Sequence, residues 1–139
     1  MNVTWDLYQR GFPKTVGAAP VKSALAADIY GSDTLALAVL DTAGNLRVWR
    51  SDGVLLRSLG IGSPASADLA IGDVAGDAKL EVVVAGIDGV VRMFPTTGAP
   101  LRMRTGDRIV AAPVLVDLDG DGKKEIIVGS TDMRLYAWK

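Results

Sequence analysis

Three stretches of this chain lie over one another when Trp49, Phe94 and Trp138 are placed in one column. Residues 46–49 (Leu-Arg-Val-Trp) then align with 91–94 (Val-Arg-Met-Phe) and 135–138 (Leu-Tyr-Ala-Trp), a period of about 45 residues. Upstream, residues 35–39 align with 80–84 and 124–128, and Asp28, Asp73 and Asp117 share a further column. A repeat of this length constrains the fold more than any single element does. Each unit is one supersecondary piece that buries its apolar face only against its neighbours.

Within a unit the pattern is β throughout. In the third unit, residues 111–116, 125–129 and 134–138 read as strands, with 117–124 and 130–133 as turns. The runs that follow Glu81 and Glu125 are continuously apolar, as in a strand covered on both faces, whereas 134–138 alternates. No apolar stripe repeats at the helical period, so helix is expected to be nearly absent. Four short strands per unit at this period fit the blades of a β-propeller better than a β-sandwich.

The ends extend the same argument. Trp5 falls in the Trp49 column, so residues 5–14 correspond to the outer strand of a blade. The expected organisation is a single segment, 1–139: an outer strand at 5–14, then three four-stranded antiparallel blades at about 15–60, 61–106 and 107–139. The N-terminal strand is expected to complete the last blade. Propellers have about 4 to 8 blades, so closure as a homodimer with six blades is expected, each chain lending 5–14 to the other. A homotrimer is the alternative.

Composition narrows the function. Lysine and arginine number 15 against 16 aspartate and glutamate, leaving −1, which gives no field to gather nucleic acid. There is no cysteine and no histidine, which removes thiolate and imidazole nucleophiles, bases and metal ligands together. The longest apolar runs resemble residues 35–40, far short of the ~18 residues of a membrane span, so no membrane insertion is expected.

The 117–125 loop carries its own chemistry. Asp117, Asp119 and Asp121 stand at positions 1, 3 and 5, Gly122 at the sharp turn, and Glu125 at position 9. With the backbone carbonyl of Lys123 these are hard oxygen donors at the spacing of a Ca2+ loop. The competing reading is that Asp-Gly pairs make turns unaided. The second unit keeps Asp73, Asp77 and Glu81 but has Ala75 and Ala78 where a ligand and the glycine would stand, a weaker metal candidate. The first has Asp28, Tyr30, Ser32 and Ala36 in these columns and is expected to bind no metal. The aromatic column is expected to pack between blades, an aromatic platform for sugars or bases being the alternative.

The run Asp117-Leu118-Asp119-Gly120-Asp121-Gly122-Lys123-Lys124-Glu125, with Gly11-Phe12-Pro13 upstream, resembles the FG-GAP repeat of integrin α-like (VCBS) propellers. The resemblance is strong in the third unit, fair in the second and weak in the first. It implies a propeller, Ca2+ in the interstrand loops, and a role in adhesion, ligand display or scaffolding outside the cell or at its surface. The expected function is a non-enzymatic scaffold or interaction module that binds itself and a protein or glycan. Residues 96–98 and 135–138 also resemble quinoprotein (pyrroloquinoline-quinone) dehydrogenase blades, and a lectin-like propeller is the other alternative.

Overall fold

A computed structural model describes residues 9–20 and 24–139, and among these it contains strands but no helix. The first sheet comprises β1 (Leu25–Ala27), β2 (Ala36–Leu40), β3 (Asn45–Arg50) and β4 (Leu55–Gly60). The second comprises β5 (Ala70–Gly72), β6 (Glu81–Ala85), β7 (Val90–Phe94) and β8 (Leu101–Arg104). The third comprises β9 (Val114–Val116), β10 (Glu125–Ser130) and β11 (Arg134–Trp138). Each sheet is an antiparallel meander in chain order. The repeated columns therefore become repeated strands, and the three loops joining first to second strand lie at one end of the array.

The sheets stack face to face, and the second shows why its strands read as continuous apolar runs. Successive side chains of a strand point to opposite faces. Val82, Val84 and Phe94 accordingly enter a core shared with Ala38, Leu40, Leu46 and Val48 of the first sheet. Val83, Ala85, Val91 and Met93 enter a second core with Ile126 and Val128 of the third. Every residue of β6 and β7 is buried, and full burial of a valine is worth roughly 1.5–3 kcal/mol.

Three expectations about boundaries are corrected. The strand expected at 111–116 begins only at Val114, where pairing with Ile127 starts, directly after Pro113, which has no amide to give to a ladder. The strand expected at 125–129 continues to Ser130, paired with Arg134. Residues 1–8, including 5–8 of the expected N-terminal strand, lie outside the described residues. Residues 9–14 are not strand: the Phe12 amide closes a turn on the Gln9 carbonyl, and Gly11 lies against the backbone of Asp52 and Gly53. Further on, the Thr42 amide bonds the Ala19 carbonyl, and Arg47 donates to the carbonyl of Val16.

Candidate metal centre

The loop before the second strand of each sheet is built by its first aspartate. Asp117 accepts the amides of Gly120 (2.7 Å) and Asp121 (3.1 Å) on Oδ1 and of Gly122 (2.9 Å) on Oδ2. Asp73 takes Gly76, Asp77 and Ala78 in the same way, and Asp28 takes Ser32 and Asp33. The backbone follows one path in all three. Gly31, Gly76 and Gly120 are left-handed in one column, and Asp33 (φ 57°), Ala78 (φ 66°) and Gly122 (φ 90°) in the next. Turn-making by aspartate is thus common to all three loops, including the first, which lacks the other acids.

The third loop adds a feature that turn-making does not explain. Ligand oxygens of Asp117, Asp119 and Glu125 lie within 4.8 Å of one another, the one such three-acid grouping among the described residues. Glu125 heads β10 and is 6% exposed. Its Oε2 accepts the Leu118 amide at 2.7 Å, while its Oε1 is buried with no hydrogen-bond partner. A buried carboxylate oxygen without a donor costs free energy unless a cation meets it. In the second loop, Glu81 is equally buried, but its Oε2 accepts two amides, from Val74 (2.8 Å) and Ala75 (3.1 Å), and Ala75 offers no side-chain oxygen. Asp77 turns to the amide of Lys79.

Asp121 and Lys123 stand beside this grouping. Asp121 Oδ1 accepts the Lys123 amide at 2.9 Å. Lys139, just beyond β11, sets its ammonium 2.5 Å from Asp119 Oδ2 and 2.6 Å from Asp121 Oδ2. That hydrogen bond holds the Asp121 carboxyl below its ordinary range, and the two acids together push the Lys139 ammonium up. The lysines inside the loop do not meet the acids. Their stems turn to the second sheet, where a Cβ at Gly76 would lie 2.9 Å from Lys123 Cε and one at Gly72 3.3 Å from Lys124 Cδ.

Sequence reasoning missed Lys139, because an ion pair 20 residues away in sequence has no local signal. It also missed a second recurring device. Arg92 grips Asp88 through both oxygens (2.6 and 3.1 Å), and in the same columns Tyr136 donates to Asp132 at 2.6 Å. An aspartate four residues before an arginine or tyrosine, across the turn joining second to third strand, was the available clue. The aromatic column does pack: Trp49 and Phe94 are each 5% exposed, and Trp138 stacks on Tyr136 with centroids 5.6 Å apart. Trp5 lies outside the described residues. Between the second and third sheets, Met93, Met103, Leu101, Ile126 and Trp138 line a cleft of about 420 Å³ with Lys123 and Lys139 at its rim.

No family model and no curated protein matches this chain. Solved structures do. The crystal structure of BBS1N in complex with ARL6DN, soaked with lead, covers 88% of this chain with a TM-score of 0.62 at 18% identity. The same complex soaked with mercury covers 88% with a TM-score of 0.61, also at 18% identity. The chain spans 38% of the length of either. At this identity the likeness shows the fold: antiparallel sheets arranged as in a β-propeller domain.

Proposed function

We propose that this chain is a non-enzymatic interaction module made of FG-GAP (VCBS)-type blades, in which the third loop takes up Ca2+ and uses it to hold a binding surface rigid. The observation that carries the metal reading is the buried, unpartnered Oε1 of Glu125 beside Asp117 and Asp119. Ca2+ prefers several hard oxygens from carboxylates and carbonyls, and the donor set here is of that kind. Asp117, Asp119 and Glu125 would hold it, with Asp121 and the Lys123 carbonyl as the remaining candidates. The Asp73, Asp77 and Glu81 set is left outside the proposal, since Ala75 supplies no carboxylate in the Asp119 column and the Glu81 Oε2 already takes two amides.

That the surface serves protein binding is supported by the similar BBS1N domain, whose structure is of a protein complex. A second copy of the chain is the proposed partner for the outer face of the third sheet, where Val114, Val116 and Leu135 are exposed. A homodimer is the preferred form.

Calorimetric titration with Ca2+ tests the metal reading. Binding with a rise in melting temperature is expected, and Glu125→Gln should weaken it at least tenfold, the usual order for one charged ligand of a Ca2+ loop, roughly 1.4 kcal/mol or more. Absence of both heat and thermal shift would overturn it. Turnover in a quinone-dependent dye assay, or selective binding on a glycan array, would replace the module reading with the quinoprotein or the lectin-like one.

A further inference from the structure

Two lysines belong to the acidic loop's sequence, yet the ammonium that meets its acids comes from outside it. Lys139 Nζ lies 2.5 Å from Asp119 Oδ2 and 2.6 Å from Asp121 Oδ2, bridging the two carboxylates. Asp119 is also one of the three residues, with Asp117 and Glu125, whose carboxylate oxygens lie within 4.8 Å of one another, and Glu125 carries a buried Oε1 without a hydrogen-bond partner. One carboxylate therefore serves two sets: a divalent set with Asp117 and Glu125, and a monovalent bridge with Asp121.

We propose that Lys139 is a tethered competitor for the divalent cation: its ammonium and the cation are alternative partners of Asp119 and Asp121, and uptake of one expels the other. The inference rests on the metal reading above and adds a consequence for the surface. Lys139 and its neighbour Trp138 line the cleft between the second and third sheets, together with Met93, Leu101 and Met103. When the cation takes the acids, the end of β11 loses its tie to the 117–124 loop and the ammonium is freed at the mouth of an apolar cleft. Cation uptake thus changes the charge presented at that cleft, which Lys123 of the loop also lines. The competitor is weak by design of its environment. Lys139 and Asp119 are about half exposed and Asp121 about one-third, so water and salt screen the bridge, and exchange with a divalent ion is within reach.

The test compares the native chain, Lys139→Met and Lys124→Met in Ca2+ titrations at low ionic strength. Lys124→Met removes the same charge from a side chain that makes no ion pair with the acids. Lys139→Met is expected to tighten Ca2+ binding about 3- to 10-fold, the scale of two partly exposed ion pairs, and Lys124→Met to change it less than twofold. In parallel, acetylation of Lys139 by an amine-reactive ester, followed by peptide mass spectrometry, should speed up several-fold in saturating Ca2+, with Mg2+ as the comparison ion. Equal affinities for native and Lys139→Met, or equal gains in both variants, overturn the competitor while the metal site stands. Binding by Lys139→Met alone supports it in its strongest form. No Ca2+ binding by any of the three overturns the metal reading, and the competitor with it.

Discussion

Asp28, Asp73 and Asp117 do the same work at three places, folding a loop around one carboxylate, and among the described residues only the third adds a grouping of three acids with oxygens within 4.8 Å of one another. What distinguishes the residues of a repeat is thus what remains after the shared turn chemistry is satisfied. The same comparison exposes a strained position. Gly44 and Gly89 hold φ of 86° and 74° in the turn between second and third strand, and Met133 holds 67° in that column. A side chain there costs about 1–2 kcal/mol, and Met133 is 96% exposed, so it returns nothing through packing. Met133→Gly is expected to stabilise the chain by roughly 0.5–1 kcal/mol after the added entropy of an unfolded glycine; urea denaturation showing no gain would count against the strain. Asp41 gives a pH prediction. Burial alone would push its carboxyl up, but the Asn45 amides and the Arg47 guanidinium outweigh that and hold it below the ordinary 3.8. Its contribution to stability is therefore complete above 3.8 and lost as pH falls through the lower folded value. Asp41→Asn should cost about 1–3 kcal/mol at pH 7 and progressively less toward pH 3, measured by urea denaturation at both. A cost that stays constant across that range would show that the charge plays no part.

At the level of strands and sheets, the pairing of Trp49 with Phe94 in one column was legible in the sequence, and so were the strands that carry them. A side-chain period of two with a unit period of about 45 leaves few other arrangements. Less legible was where a strand begins. Residues 111–113 (Ala-Ala-Pro) continue the apolar run into Val114 but are poor strand formers, and the missing amide of Pro113 with the register set by Ile127 and Val114 shortens the strand. The acidic loop was legible as a spacing of ligands, but the spacing alone treated Asp117, Asp119, Asp121 and Glu125 alike. The structure separates them: Glu125 is buried at the head of β10 and groups with Asp117 and Asp119, while Asp121 lies outside that grouping and shares Lys139 with Asp119, a contact that depends on where β11 ends up beside the loop. Packing yields the prediction for this scale. Phe94 extends from the second sheet into the core it shares with the first, under the guanidinium of Arg57 at 6.0 Å. Phe94→Ala is expected to cost about 3–5 kcal/mol, and Trp49→Ala a similar amount. Losses below about 1 kcal/mol would mean that these rings are not core.

For the molecule as a whole, equivalent positions meet different surroundings. Val91 and Leu135 share a column, yet Val91 is fully buried because the third sheet covers it, whereas Leu135 is 77% exposed. The same contrast holds for Val83 and Ile127, the first buried in the second core and the other half-buried. The outer face of the third sheet, with Val114, Val116, Leu135 and Ala137, therefore presents to solvent the kind of surface that the second sheet buries. Among the described residues β11 pairs with β10 alone, which leaves its other edge without a strand there. An apolar face beside an unpaired edge is a combination that β-proteins cover with another sheet or strand. A second copy supplies both at once, because a twofold arrangement lets each chain offer the other the same surface. The native chain is accordingly expected to run as a dimer by light scattering at micromolar concentration. Leu135→Lys, placing a charge in the middle of that exposed face, should shift it to the single-chain mass with little change in the far-ultraviolet spectrum. A native chain that already scatters as a single copy would overturn the pairing, and a trimer that Leu135→Lys still dissociates would keep the face and revise the symmetry.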